Sequence, residues 1–337
     1  MFSKRLGVVL LLLLMASALR ADDTAVTLAA GGLVPLGPTK IRMESEDLEI
    51  TPRRITIHYV FRNPGDQDES TVFAFRLPDL DGIGLCFSPY MLPRRNEVNF
   101  VGFGVMANGK PISTQMEVRA IHEGQDVTPR LKAAGLGANV MVEPLNGALS
   151  RIAPEQAEKL ETEGLIEAQQ FLVPLQITGK KRGWCAAWTM RVLYSWTQAI
   201  PANQVVEITQ FYSPVVGGGY FSASDNDSGY VANYCATAET TRAIEALKSQ
   251  AAESKDTGTL LYEQAIDFTL TSANGWSGPT GIFHLTVLTK DPNDMLMTCM
   301  PGLLRVAPTK FELEKDNFQP SQELKLMILQ KSRPWGW

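Results

Sequence analysis

"IRMESEDLEITPRRITIHYVFRN", residues 41–63, decides the fold class. In its second half Ile55, Ile57, Tyr59 and Phe61 alternate with Thr56, His58 and Val60. That period of two marks a β-strand with one face buried. In its first half Ile41 and Met43 are apolar at odd positions, and Leu48 and Ile50 at even ones. A regular strand cannot change phase, because a slip of one residue turns every side chain to the other face. The chain is therefore expected to bulge or turn near Glu46-Asp47. Glu44 then falls opposite Met43, and Glu49 opposite Leu48. The carboxylates Glu44, Glu46, Asp47 and Glu49 are expected on the solvent side or in the kink. Arg53 and Arg54, beginning the next strand, complete a screened surface charge network.

The same period recurs along the chain. "STVFAFRLP" puts Phe73, Phe75 and Leu77 on one face, and the polar run at 63–70 predicts a hairpin with the strand before it. In "FVGFGVMANGKPISTQMEV", residues 100–118, Asn108-Gly109 supplies the two positive-φ residues of a type I′ turn. Val101, Phe103 and Val105 alternate before it; Ile112, Thr114, Met116 and Val118 alternate after it. Further strands are read at "QQFLVPLQI" (169–177), "WCAAWTMRVLYSW" (184–196), "QVVEITQFY" (204–212), twice within 265–290, and in "DMLMTCM", "LLRVAPTKFELE" and "ELKLMILQ". "VVGGGYFSASDNDSGY", 215–230, reads as a loop.

Helices are few. "TPRLKAAGL" and "APEQAEKLETEGL" each carry a proline at the start and a Gly-Leu at the end. A third helix is predicted over 238–253, with Ile244 and Leu247 inward. The fold class is mainly β: antiparallel β-sandwich lobes with a small inserted helical segment and one later helix. The expected division is a β-sandwich lobe at 22–121, a helical insertion at 122–170 and a β-rich lobe at 171–337.

The first residues stand apart from that fold. Lys4 and Arg5 precede the apolar run 6–19, and small residues follow at 16–18 and at Ala21. This is the pattern of a secretory signal peptide, cleaved after Ala18 or Ala21. Loss of 1–21 removes three positive charges and no acid, taking the net charge from −5 to about −8. An acidic exported chain is a poor fit to nucleic acid. No later segment is long and apolar enough to span a membrane. The expected location is the periplasm or the medium.

Four cysteines, Cys86, Cys185, Cys235 and Cys299, follow the signal. An even number in an exported chain predicts two disulfides, with three pairings open. No CxxC is present, nor GxSxG, GxGxxG or a P-loop. His58, His122 and His284 have no zinc-ligand spacing. The acidic loops at Asp79-Leu80-Asp81 and at Asp225 and Asp227 lack the spacing of a calcium loop and read as turns. No metal or cofactor is implied, and no catalytic residue is marked. Trp184, Trp188, Trp196, Tyr212 and Tyr220 belong to a dense aromatic run. In a groove they would bind a sugar, lipid or peptide; the shared parity of 184–196 favours core.

A resemblance covers nearly the whole chain after the signal. "AAGGLVPL", the opening stretch, "FAFRLPDLD", "SWTQAIPA", "YSPVVGGG", Tyr234-Cys235, "SANGWSGPTGIFHLTV" and "APTKFELEKDNFQPSQEL" occur in this order. They resemble the blocks of an exported bacterial family known as the domain-of-unknown-function 4424 family. The resemblance brings no activity and no catalytic residues with it. It implies pairing of Cys235 with Cys299, which leaves Cys86 with Cys185. The chain departs from the family where a basic "HRY"-like stretch is expected before "PVVGG": Gln210-Phe211-Tyr212 stands there. Residues 53–119 are also similar to the vault inter-alpha-trypsin domain, a β-sandwich interaction module.

These observations favour a non-enzymatic envelope protein that binds a small ligand or a protein partner. Two alternatives stand beside it. One is an exported hydrolase using Glu44 or Glu46 with Asp79 or Asp81. The other is a structural subunit of an envelope assembly, which calls for a large exposed apolar patch.

Overall fold

The computed structural model describes residues 30–87, 90–91, 93–94, 98–139, 149–168, 184–222, 228–254 and 259–331. The signal-like segment and the strand expected at 169–177 lie outside the described residues.

The opening stretch forms β1 (Arg42–Ile50) and β2 (Ile55–Arg62), an antiparallel pair. Thr51 closes the turn: its hydroxyl accepts from the N–H groups of Arg53 and Arg54. The strand does bulge, but at Glu44, between Met43 and Ser45, not near Glu46-Asp47. A Cβ on Gly281 of the neighbouring strand would stand 2.4 Å from the Glu44 carbonyl oxygen, so that close approach needs glycine. The earlier bulge brings Glu46 into phase with Leu48 and Ile50. Its side chain therefore faces the core and not the solvent, which corrects the expectation for this one carboxylate.

The longer strands that follow are β3 (Glu69–Arg76), β4 (Gly104–Ala107), β5 (Gln115–His122), β6 (Thr189–Ile200) and β7 (Val205–Tyr212). Then come β8 (Val216–Ser222), β9 (Thr259–Thr269), β10 (Thr280–Leu288), β11 (Leu304–Ala307), β12 (Lys310–Phe318) and β13 (Leu324–Gln330). An eight-stranded sheet runs β11-β12-β10-β1-β2-β7-β4 and ends on Lys110–Pro111. Its β1–β10 pair is parallel and the rest antiparallel. One six-stranded sheet carries β5, β6 and β3 at its centre; the other carries β13, β9 and β8. The eight-stranded sheet takes strands from either side of 122–170, so β1 and β2 pair with partners more than 140 residues away in sequence.

Two expected hairpins take a different form. β2 and β3 do not pair; β2 lies in the eight-stranded sheet and β3 in a six-stranded one. The loop between them is an arch across the sandwich. Buried Asn63 holds it, donating to the carbonyls of Gln67 at 2.8 Å and Ile200 at 3.0 Å. Across the arch the Phe61 and Phe73 rings meet edge to face, 5.0 Å between centroids. The Asn108-Gly109 turn is present, both residues at positive φ. Its return strand, however, is only Lys110–Pro111. Pro111 has no N–H to give to a further strand, and the chain crosses over so that β5 pairs with β6.

The described helices are α1 (Gly82–Phe87), α2 (Thr128–Ala133), α3 (Pro154–Thr162), α4 (Ser228–Tyr234) and α5 (Ala238–Ser254). In both Gly-Leu endings the leucine N–H reaches back into the last turn, Leu136 to Leu131 and Leu165 to Leu160, each at 2.8 Å. The segment read as a loop from 215 contains β8, with Gly217–Gly219 paired to β9. α4 and α5 pack on the outer face of that sheet. Tyr230, Tyr234 and Ile244 meet Leu261, Ala265, Met327 and Leu329 in a core separate from the main one. Two disulfides are formed, Cys86–Cys185 and Cys235–Cys299. Among the described residues no helix is long and apolar enough to cross a membrane.

Candidate functional site

Trp184, Trp188, Trp196 and Tyr212 are all buried. Trp196 on β6 and Tyr212 on β7 are turned inward by parity, where Phe75 lies 4.9 Å from Tyr212 and Phe73 lies 5.6 Å from Trp196, ring to ring; Trp184 and Trp188 are buried in the segment just before β6. As an exposed ligand surface these four are therefore corrected. The side chain of Tyr220 lies outside the described ones.

The polar groups on this inner face are the unusual feature. Glu46 on β1 is 3 % exposed and stands opposite Tyr59 on β2, itself fully buried. Burial, reinforced by the adjacent Asp47 charge, pushes the Glu46 carboxyl up to about 8, so it is protonated at neutral pH. Burial, with the Glu46 charge second, also holds the Tyr59 phenol well above its ordinary value. Leu33 N–H donates to the Tyr59 hydroxyl at 3.2 Å, and Gly32 N–H to Ser272 Oγ at 2.9 Å. Trp276 Nε1 donates to the Leu33 carbonyl at 2.9 Å. A Cβ on Gly32 would stand 2.9 Å from the Tyr59 hydroxyl, 3.0 Å from Ser272 Oγ and 3.6 Å from Glu46 Oε1. Three oxygens thus converge on one glycine. "AAGGLVPL", the opening stretch and "SANGW", remote in sequence, meet here.

Two further polar side chains face inward from β7. Gln210 is fully buried, and among the described residues neither its amide nitrogen nor its oxygen has a hydrogen-bond partner. The Tyr212 hydroxyl is likewise buried without one among the described residues. A buried polar group left unpaired costs about 1–3 kcal/mol, so such groups point to something beyond packing. Burial raises the Tyr212 phenol well above its ordinary value, and it stays a neutral donor.

Tyr212 lines a small pocket with Leu77, Pro78, Leu80, Phe100, Val101 and Val215. Its empty space is about 240 Å³ with the solvent at its mouth counted, but the part enclosed by the walls is about 10 Å³, room for about one water molecule. The walls are apolar, and Tyr212 carries their one side-chain hydroxyl. "FAFRLPDLD" supplies three of the wall residues and "YSPVVGGG" two, so these blocks also meet in space.

The carboxylates weighed for hydrolysis are not brought together. Asp79 is clamped by Arg191, through Nε at 3.1 Å and Nη2 at 2.8 Å, and by Arg76 at 2.7 Å. Those bonds hold its carboxyl below the usual range. Asp81 accepts from the N–H of Gly84 at 2.7 Å. Glu44 pairs with Arg62. Glu46 faces the core from the opposite sheet. The histidines are engaged locally: His58 with Thr209 Oγ1 at 3.1 Å, His122 with the Ala187 carbonyl at 2.8 Å, His284 with Asp47 at 3.3 Å. Among the described residues no group of three His, Cys, Asp or Glu side chains is placed to hold a metal ion. Asp225 and Asp227 lie outside the described residues.

Sequence reasoning missed Glu46 and Gln210 as interior groups. A signal for Gln210 was available, since it shares parity with Val206, Ile208 and Tyr212.

The molecule is thus a mainly β, disulfide-bonded sandwich protein with a small apolar pocket. Residues 21–327 match the family described as Domain of unknown function (DUF4424), and the chain belongs to it. No curated protein matches the chain. Among solved structures it is similar to a protein of Legionella pneumophila subsp. pneumophila str. Philadelphia 1, provisionally described as nutrient binding. That likeness has 15% identity and a TM-score of 0.47, and covers 91% of this chain and 72% of the other.

Proposed function

We propose that this chain is an exported, non-enzymatic binding protein of the bacterial envelope, and that its ligand enters the Tyr212 pocket. The unpartnered Tyr212 hydroxyl beside an apolar pocket carries the reading. The group of the ligand that enters would be small and would carry one acceptor for the phenol proton, the rest resting on the apolar mouth. Export rests on the signal-like N-terminus and on two disulfides, which persist in oxidising compartments. The hydrolase reading loses its carboxylate pair to the geometry above. The subunit reading calls for a large exposed apolar patch. Among the described residues the exposed large apolar side chains lie on separate elements, with only Leu304 and Val306 sharing a strand.

A thermal-shift screen of small neutral alcohols, ketones, esters and short-chain acids tests the reading, with wild type and Tyr212→Phe side by side. Stabilisation of wild type that the variant loses at least about fivefold supports the site. Hits that act equally on both proteins, or no hits at all, would remove it.

A further inference from the structure

The two disulfides sit in opposite settings. Cys185 is fully buried beside Trp184 and Ala186, in the main core, and its partner Cys86 is half-buried. Cys235 and Cys299 are both exposed. Cys235 also ends α4 in the left-handed region, at φ +52. The Ala236 N–H reaches back over it to the Tyr230 carbonyl at 3.2 Å. That position usually belongs to glycine, and a residue with a side chain costs about 1–2 kcal/mol there.

This bond has a mechanical place. It ties the end of α4 to the chain just after Met295–Met297, at the edge of the sheet that the two helices cover. Helices α4 and α5 rest on their own small core, apart from the main one. Beneath them the Tyr230 hydroxyl donates to the carboxylate of Glu263, which is 7 % exposed on β9. Opening the bond would therefore loosen a helical cap over the outer face of that sheet and leave the sandwich, with its less exposed Cys86–Cys185 bond, intact.

We propose that Cys235–Cys299 is a thiol–disulfide exchange site, a latch on the α4–α5 cap whose substrate is a dithiol of the exported compartment. One thiolate of the dithiol attacks the sulfur of either exposed cysteine. The protein S–S bond breaks, a mixed disulfide forms, and the leaving cysteine takes up a proton. The second thiol of the reagent then attacks the mixed disulfide and releases the other cysteine. The protein gains two electrons and two protons, and the dithiol leaves as a disulfide. Access to the sulfur decides which bond exchanges, so the exposed pair reacts first.

The test uses the folded, full-length protein with graded dithiothreitol, quenched with iodoacetamide and mapped by peptide mass spectrometry. Cys235 and Cys299 are expected to label at about tenfold lower reductant than Cys86 and Cys185. Hydrogen exchange on the half-reduced sample is expected to speed up at least about threefold over 228–254 and to stay unchanged in β1 and β2. Labelling of all four cysteines together, or of Cys86 and Cys185 first, would overturn the exchange site. Unchanged exchange over 228–254 after selective reduction would overturn the latch.

Discussion

Replacing Glu46 by glutamine should stabilise this protein, and by an amount that depends on pH. The carboxyl is buried, and its folded value is about 8 against an ordinary 4.5. Because the folded value is raised, the folded state holds a proton that the unfolded chain releases above pH 4.5. Stability is therefore full below about pH 4.5 and falls as pH climbs towards 8. At pH 7 the cost of keeping that proton is about 3 kcal/mol, and above pH 8 the loss levels off near 5 kcal/mol. Glutamine has the same shape and no proton to lose. Glu46→Gln should match wild type within about 1 kcal/mol at pH 4.5 and exceed it by about 3 kcal/mol at pH 7. Urea denaturation followed by tryptophan fluorescence at pH 4.5, 7 and 9 measures this, since Trp188, Trp196 and Trp276 are buried reporters. Parallel stability curves for the two proteins would refute the reasoning, because Glu46 would then titrate as an exposed acid.

Other perturbations follow from the same geometry. Gly281→Ala places a methyl group against the Glu44 backbone at the bulge and should cost about 1–3 kcal/mol, read as a lower urea midpoint; an unchanged midpoint would mean the bulge yields freely. Asp79→Asn breaks a clamp whose partners are partly exposed, so screening limits the loss to about 1 kcal/mol at pH 7. The Asp79 carboxyl is depressed, so this contribution is present above the ordinary carboxylate range and is lost as pH falls below it; a loss that persisted at pH 2 would be packing, not charge. Tyr212→Phe removes a hydroxyl that has no partner among the described residues, so stability without ligand should hold or rise by about 1 kcal/mol; a loss above 2 kcal/mol would show a hidden partner.

Much of the fold was legible because alternation is local. The parity of 55–61 and of 184–196 placed those side chains inward, and the Gly-Leu endings marked two helix stops. Pairing was less legible. Nothing between Phe61 and Phe73 distinguishes a hairpin from an arch except what Asn63 bonds to, and one of its partners is Ile200. The bulge position was also open. Any site between Met43 and Leu48 satisfies the phase change, and placing it near Glu46-Asp47 spares a buried acid. The chain instead buries Glu46, because β1 must align with both β2 and β10, and that register is invisible in β1 itself. The site was half legible: Tyr212 was a candidate from composition, whereas its pocket needs Leu77 and Phe100 from distant segments.

The claim that the Tyr212 pocket holds a ligand is tested most directly by native mass spectrometry of the protein purified from its own host. The account predicts a retained small mass on wild type that is lost or reduced on Tyr212→Phe purified in parallel. A bare wild-type chain, or the same retained mass on both proteins, would contradict it.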